Sequence, residues 1–400
     1  MPAALAASVG AWSPILVLAI GLASMLIAAT FAEVSSRFDA TGGPYLFTRA
    51  AFGRFLAFEV GWMQWFTRVA SWAAVINVLV ASLGFYWASV SAEPLRSLVM
   101  SAIICGLAIV NILGIRQSAW LVNALTIGKL VPLVLFVGFT LPLVSLARVH
   151  PGAAPPFGDV STSALLLIFG YGGYEVVPIP AGESRNPHRD VPFALIMTLA
   201  VVTILFALIQ LGSLAALPGL AVSKTPLIDA ASRVAGVVGA AVITLGAIIS
   251  TTGNNMGQAL SGSRALFALA EQGDVPRPFA RISQTYRTPV VAIGFTAGIA
   301  LILATTGSFA IMATASAVSR LFVCVATCAA ALRLREPGFA GRVSPASFRL
   351  PLGPTIPAAA IVIASAILFG ASRAQLTAGA AALAAGAGLF LIAVVLEKRR

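Results

Sequence analysis

Runs of about twenty apolar residues recur along the whole of this chain, and no other feature constrains its fold so firmly. A helix of that length crosses the hydrocarbon of a bilayer, where every backbone N–H and C=O must find a partner inside the protein. Eleven such runs are read, over residues 12–33, 55–88, 96–114, 120–146, 162–182, 192–216, 235–270, 289–306, 309–332, 354–372 and 376–396. The longer ones must tilt or extend beyond the membrane. With 59% of its residues hydrophobic and 10% charged, the chain reads as one all-α polytopic membrane domain. No soluble domain or cleavable signal peptide is visible.

The formal net charge of +12 would suggest nucleic acid in a soluble protein. Here the basic residues alternate between loops instead. Arg37, Arg49, Arg54, Arg116, Lys129, Arg185, Arg189, Arg264, Arg277, Arg281, Arg287, Arg333, Arg335, Arg342, Arg349, Lys398, Arg399 and Arg400 lie at or near one set of loops. The alternate set carries Arg96, Arg148, Lys224, Arg233 and Arg373. Such a bias places the richer loops and the C-terminus in the cytoplasm and, with an odd span count, the N-terminus outside. No face concentrates charge as a nucleic-acid binder would. An alanine-rich composition with arginine favoured over lysine points to a GC-rich bacterium and its inner membrane.

Cys105, Cys324 and Cys328 fall within spans and read as small core hydrophobes. His150 and His188 stand alone in loops on opposite sides, so no metal-ligand spacing exists. There is no phosphate loop and no nucleophile–base pair. Neither a cofactor, a metal nor an enzymatic activity is expected. The expected partners are the lipid bilayer and a small molecule.

One run is unusual. Residues 162–182 contain "GYGGYE", placing Gly170, Gly172, Gly173, Tyr171 and Glu175 inside a span. Glycine is a poor helix former, and a carboxylate in lipid is costly. Glycines at this spacing fit close helix packing. They also fit a helix broken in mid-membrane, where helix ends face a ligand. Glu175, just beyond them, favours the functional reading.

These residues carry a resemblance. "LLLIFGYGGYEVVPIPAGESRNPHRDVPFAL" resembles the sixth helix and following loop of the amino acid–polyamine–organocation permeases. "FAEVSSRFDATGGPYLFTRAAFGRFLAFEVGW" resembles the end of their second helix, a re-entrant loop and the start of the third. "NALTIGKLVPLVLF" is similar to their fifth helix, and "SGSRALFALAEQGDVPRPFARISQTYRTPV" to the end of the eighth and its loop. The resemblance implies an inverted five-helix-repeat transporter fold. Residues 12–146 would be the remainder of the first repeat, 162–332 the second repeat and 354–396 two additional helices. It implies secondary active transport of an amino acid or related amine by alternating access, with substrate between the first and sixth helices. Phe169 falls at an aromatic gate position. Gly170, Tyr171, Gly172 and Gly173 form the unwound strip facing the substrate, and Glu175 comes just after it. Core packing is the other reading of Phe169 and Tyr171. The opening "MPAALAASVG" is similar to the segment just beyond the family's first-helix break. The expectation is therefore that the first helix is absent, which would leave a truncated, non-transporting protein, a scaffold or sensor, as the alternative.

Other polar residues lie inside spans. Arg68 is about fourteen residues into the third family helix, roughly 21 Å along it. There it would pair with Glu175 or meet a substrate carboxylate, or else stabilise the bundle through Glu59 or backbone carbonyls. Arg320, in mid-span, presents the same choice. Asn254, Asn255 and Gln258 on the eighth family helix suit either a substrate side chain or interhelical hydrogen bonds. Lys129, opening the fifth family helix, either snorkels to the interface or, as the resemblance implies, places its ammonium where sodium-coupled relatives hold an ion, near Ser250 and Thr251. The latter implies sodium-independent exchange, or coupling to a proton.

Overall fold

The computed structural model describes residues 1–145, 152–306, 309–339, 341–369 and 373–398. His150 and Arg148 lie outside the described residues. Each of the apolar runs becomes a helix. In chain order the helices are α1 Pro2–Val9, α2 Ser13–Ser35, α3 Pro44–Phe52, α4 Arg54–Leu83, α5 Leu95–Leu113, α6 Ile115–Thr140, α7 Phe157–Tyr171, α8 Pro187–Ala216, α9 Pro226–Glu271, α10 Val290–Thr306, α11 Phe309–Arg333, α12 Thr355–Phe369 and α13 Arg373–Lys398. Among the described residues seven segments are long and apolar enough to cross a membrane, α1 and α2 together forming the first. The outward surfaces carry Leu22, Trp120, Ile127, Phe193, Ile204 and Phe369 exposed, the apolar exterior that lipid demands.

Several boundaries depart from the sequence reading, and three of them have a clear local reason. Gly114, at φ 139°, starts α6 at Ile115, so Lys129 lies about 21 Å into this helix rather than at its opening. Pro187 occupies the first turn of α8, where its missing N–H costs nothing, and starts that helix earlier than residue 192. The long α9 is interrupted at Ala235 and Gly236, so the run beginning at 235 begins at a kink.

Two apolar cores organise the bundle. One joins α2, α7, α8, α11 and α12 through residues such as Phe31, Leu167, Leu195, Leu321 and Ala360. The other joins α4, α5, α9 and α10 through Trp72, Met100, Met256 and Ile293. Helix α4 packs against α3, α9, α10, α11 and α13, and it is polar where most helices of such a bundle are oily. Gln64, Thr67, Arg68 and Ser71 are all buried on it. Helix α9 approaches α4 at Gly262, where a Cβ would lie 3.2 Å from the Cβ of Arg68. Across from it, the Ser71 and Ser316 hydroxyls meet at 2.7 Å, tying α4 to α11 and so one core to the other.

At one end several basic residues pair with carboxylates. Asp274, after α9, accepts from Tyr45 Oη at 2.6 Å, Arg49 Nη1 at 2.9 Å and Arg54 Nε at 2.7 Å. Burial, then the hydrogen bond and charge of Asp274, push the Tyr45 phenol well above its ordinary pKa. Glu33 at the end of α2 accepts from Arg335 Nε at 2.7 Å and from the Leu350 N–H at 2.8 Å. Arg264 reaches Glu183 at 3.2 Å and bonds to Asn111. The loops read as sharing one side of the membrane thus interlock at one end. Cys324 and Cys328 are buried, but Cys105 is exposed on the outward surface of α5, which corrects its reading as a core residue.

Candidate functional site

Helix α7 has 15 residues, about 22 Å and short of a roughly 30 Å hydrocarbon layer. It stops at Tyr171, and the chain continues to Asn186 as turns and short 3-10 segments. Two causes are visible in the sequence. Gly173 takes φ 127°, a region that side-chain-bearing residues avoid. Pro178 and Pro180 then remove two N–H donors within three positions. The break stays hydrogen-bonded. The Gly172 N–H still reaches Ile168 O at 3.0 Å, Val177 N–H reaches Tyr174 O at 3.1 Å and Ile179 N–H reaches Val176 O at 2.9 Å. The Ile179 carbonyl accepts from Gly42 N–H at 2.9 Å, fastening the strip to the turn before α3. Irregular backbone at membrane depth persists only when protein covers it in this way.

A cluster of charge sits at the break. Glu175 Oε1 lies 2.8 Å from Arg68 Nη2 and 2.7 Å from Arg320 Nε. Its other oxygen accepts the Gly173 N–H at 2.7 Å. All three side chains are buried. One carboxylate thus joins α4, the α7 break and α11. Of the two carboxylates considered for Arg68, Glu175 is the partner. Glu59 instead stands against Trp62 and Gly386 of α13, its two oxygens without hydrogen-bond partners among the described residues.

The glycines divide differently from the sequence reading. Gly170 remains within the helix, and a Cβ there would lie 2.2 Å from the Met1 Cε. The unwound strip therefore begins after Tyr171, because Gly172 and Gly173 are the residues that leave the helix. Gly172 is covered: a Cβ would fall 1.4 Å from Arg320 Nη1, so the guanidinium lies directly over the glycine. Among the described residues no heavy atom would come within 4 Å of a Cβ added at Gly173, which leaves room beside the break. Tyr171 turns away, its hydroxyl donating to Val17 O at 2.8 Å and its ring 5.5 Å from that of Phe206. That is the core-packing alternative. The side chain of Phe169 lies outside the described residues.

A second polar group lies along α6 and α9. Gly128 packs against Ile249, a Cβ lying 3.1 Å from its side chain, which brings the α6 backbone next to Lys129 beside the turn of α9 that carries Ser250. No hydrogen bond joins Lys129 to Ser250 or Thr251 among the described residues. The Thr251 hydroxyl turns to Ala247 O at 2.8 Å on its own helix. Gln258 Nε2 donates to Asn254 Oδ1 at 3.1 Å, and Asn254 is exposed. Asn255 is buried, and neither of its polar atoms has a partner among the described residues. The feature least legible in the sequence was Arg320 as second partner of Glu175. Its signal was a guanidinium in mid-span with no carboxylate on its own helix.

The arrangement offers a carboxylate held by two guanidinium groups beside an opening at a broken helix, in the interior of a membrane bundle. Among the described residues no three metal-ligating side chains gather. The amino acid permease family model matches residues 1–395. The branched-chain amino acid permease BcaP of Bacillus subtilis (strain 168) is 25% identical over 366 residues, covering 85% of this chain and 77% of the relative. The serine/threonine exchanger SteT of the same organism is 26% identical over 296 residues, covering 71% of this chain and 66% of the exchanger. Its methylthioribose transporter is 26% identical over 366 residues, covering 84% and 76%.

Proposed function

This chain belongs to the amino acid permease family, and on that premise we propose that it is a secondary active transporter of amino acids or related small solutes working by alternating access. The observation that carries this reading is the break of α7 at Gly172–Gly173, with Arg68, Glu175 and Arg320 converging on it at membrane depth. Buried charges on three separate elements are expensive to keep in a bilayer, and such groups mark solute and ion pathways. Helix α4 and the α7 break are tied through charge rather than through oil alone. A change at the break is thereby felt on the far core, as alternating access requires.

The repeats are residues 12–146 and 162–332, with 354–396 added. The basic loops, joined at one end by the Asp274 and Glu33 clusters, face the cytoplasm with the C-terminus, and the membrane is a bacterial inner membrane. Transport does not use sodium, on the reading that the ammonium of Lys129 takes the place of a sodium ion near Ser250 and Thr251; the coupled ion, where there is one, is a proton. Phe169, Asn254 and Gln258 complete the substrate-facing set together with Gly172, Gly173, Glu175 and Arg68, while Gly170, packed against Met1, and Tyr171, bonded to Val17 O on α2, stand behind it. The named solutes of the relatives, branched-chain amino acids, serine and threonine, and methylthioribose, support a small polar solute without fixing its side chain.

The test is the initial rate of radiolabelled amino acid uptake into proteoliposomes holding the full-length gene product. Rates that saturate with concentration and exceed those of protein-free vesicles support the reading. Rates equal to those of empty vesicles across a panel of neutral, acidic and basic amino acids overturn it.

A further inference from the structure

Charge at the break does not balance. Arg68 and Arg320 bring two positive charges and Glu175 returns one negative charge. Of the thirteen aspartates and glutamates, only one other lies in the interior of a helix. It is Glu59, nine residues before Arg68 on α4 and so about 13 Å away along the axis, turned toward Trp62 and α13. The rest stand in loops or in the first or last turns of helices. The C-terminal end of α7 points its carbonyls at this region and offsets about half a charge. A positive surplus therefore remains in a buried place where it is costly.

Two further features say where a compensating group would go. Arg68 is 1% exposed, and its Nε has no hydrogen-bond partner among the described residues. Beside the cluster, no described residue comes within 4 Å of a Cβ added at Gly173, and its N–H already shows that a carboxylate oxygen fits against this backbone, at 2.7 Å from Glu175 Oε2. The break thus joins a positive surplus, an unused buried donor and adjoining room.

We propose that the Arg68–Glu175–Arg320 cluster selects substrate by charge, taking small organic anions that carry one carboxylate more than they carry ammonium groups. This rests on the transport reading above and narrows its substrate class. Acidic amino acids and simple hydroxy- or alkyl-carboxylates share that chemistry. A zwitterion brings no net charge to the site, and a cationic amino acid worsens the surplus. Glu175 holds the two guanidinium groups together between turnovers, and the incoming carboxylate supplies the charge that Glu175 alone lacks.

The experiment compares solutes of equal shape and different charge: aspartate with asparagine, glutamate with glutamine, and lactate with lactamide. Both binding to the detergent-solubilised full-length protein and uptake into proteoliposomes are measured. The charged member of at least one pair is expected to be preferred by about 10-fold or more, a difference of roughly 1.4 kcal/mol; which pair responds distinguishes amino anions from simple carboxylates. Arg320→Gln, which leaves one guanidinium against one carboxylate, is expected to bring that preference close to parity. Should this variant fail to fold, the pairwise comparison in the unmodified protein still decides. Neutral members bound and transported as well as their charged partners would overturn the charge selection and leave the transport reading standing. Charged members bound preferentially but never transported would support the cluster and overturn the transport reading. No binding of any charged member would overturn the proposal.

Discussion

Replacing Gly172 with alanine tests the geometry of the break with a single methyl group. The Cβ would lie 1.4 Å from Arg320 Nη1 and 2.3 Å from its Cζ. Non-bonded carbons and nitrogens settle at about 3.5 Å, so the guanidinium must retreat by roughly 2 Å. The Arg320 Nε to Glu175 contact is 2.7 Å, and a shift of that size takes it beyond the roughly 4 Å reach of an ion pair. Breaking a buried ion pair costs about 3–5 kcal/mol. Glu175 keeps Arg68 and the Gly173 N–H, so the loss belongs at the lower end of that range. Alanine also gains up to about 1 kcal/mol over glycine next to a helix. The net expectation is a destabilisation of about 2 kcal/mol. A double-mutant cycle isolates the cause. In an Arg320→Ala background nothing occupies the space, and Gly172→Ala should be neutral or slightly stabilising. Equilibrium unfolding in mixed micelles gives the four free energies. An equal cost of Gly172→Ala with and without Arg320 would refute the placement of the guanidinium over the glycine.

Two other perturbations probe the cytoplasmic end and the coupling ion. Tyr45→Phe removes a buried hydrogen bond of 2.6 Å to Asp274 and should cost about 1.5 kcal/mol, since hydrogen bonds to charged groups contribute about 1.5–3 kcal/mol and Arg49 and Arg54 remain. The Tyr45 phenol is raised, so its proton-dependent contribution is complete below the ordinary phenol pKa of about 10. The cost should therefore be the same near pH 6 and near pH 9, and a cost that vanishes at the higher pH contradicts the assignment. With sodium replaced by choline at fixed pH, initial uptake rates should be unchanged; an absolute requirement for sodium contradicts the role given to Lys129.

The helices and the break were legible because lipid permits so few alternatives. Apolar runs long enough to cross a bilayer must be helical, and the glycines followed by Pro178 and Pro180 cannot continue a helix. That Arg68 needs a partner was legible on the same ground, and Glu175 was one of two carboxylates in reach. The position of each glycine within the break was not. Gly170 stays helical while Gly172 lies beneath Arg320, a consequence of how far the Arg320 side chain reaches from α11 across the break, which no local pattern encodes. Tyr171 looked like a ligand-facing aromatic and instead donates to Val17 O on α2, because the direction of a side chain at a helix end depends on the neighbour it meets. Lys129 was read as opening its helix, whereas Gly114 starts α6 at Ile115, fourteen residues earlier. Asn255, rather than Asn254, is the buried asparagine of α9, a distinction set by rotation of the helix.

Counterflow tests alternating access most directly. Proteoliposomes holding the full-length gene product are loaded with a high concentration of unlabelled substrate, diluted, and given a trace of the same solute labelled outside. A carrier that exposes one site alternately to the two sides predicts a transient overshoot, label rising inside above its external concentration before decaying. Label that only equilibrates, or never exceeds that in protein-free vesicles, would contradict the account.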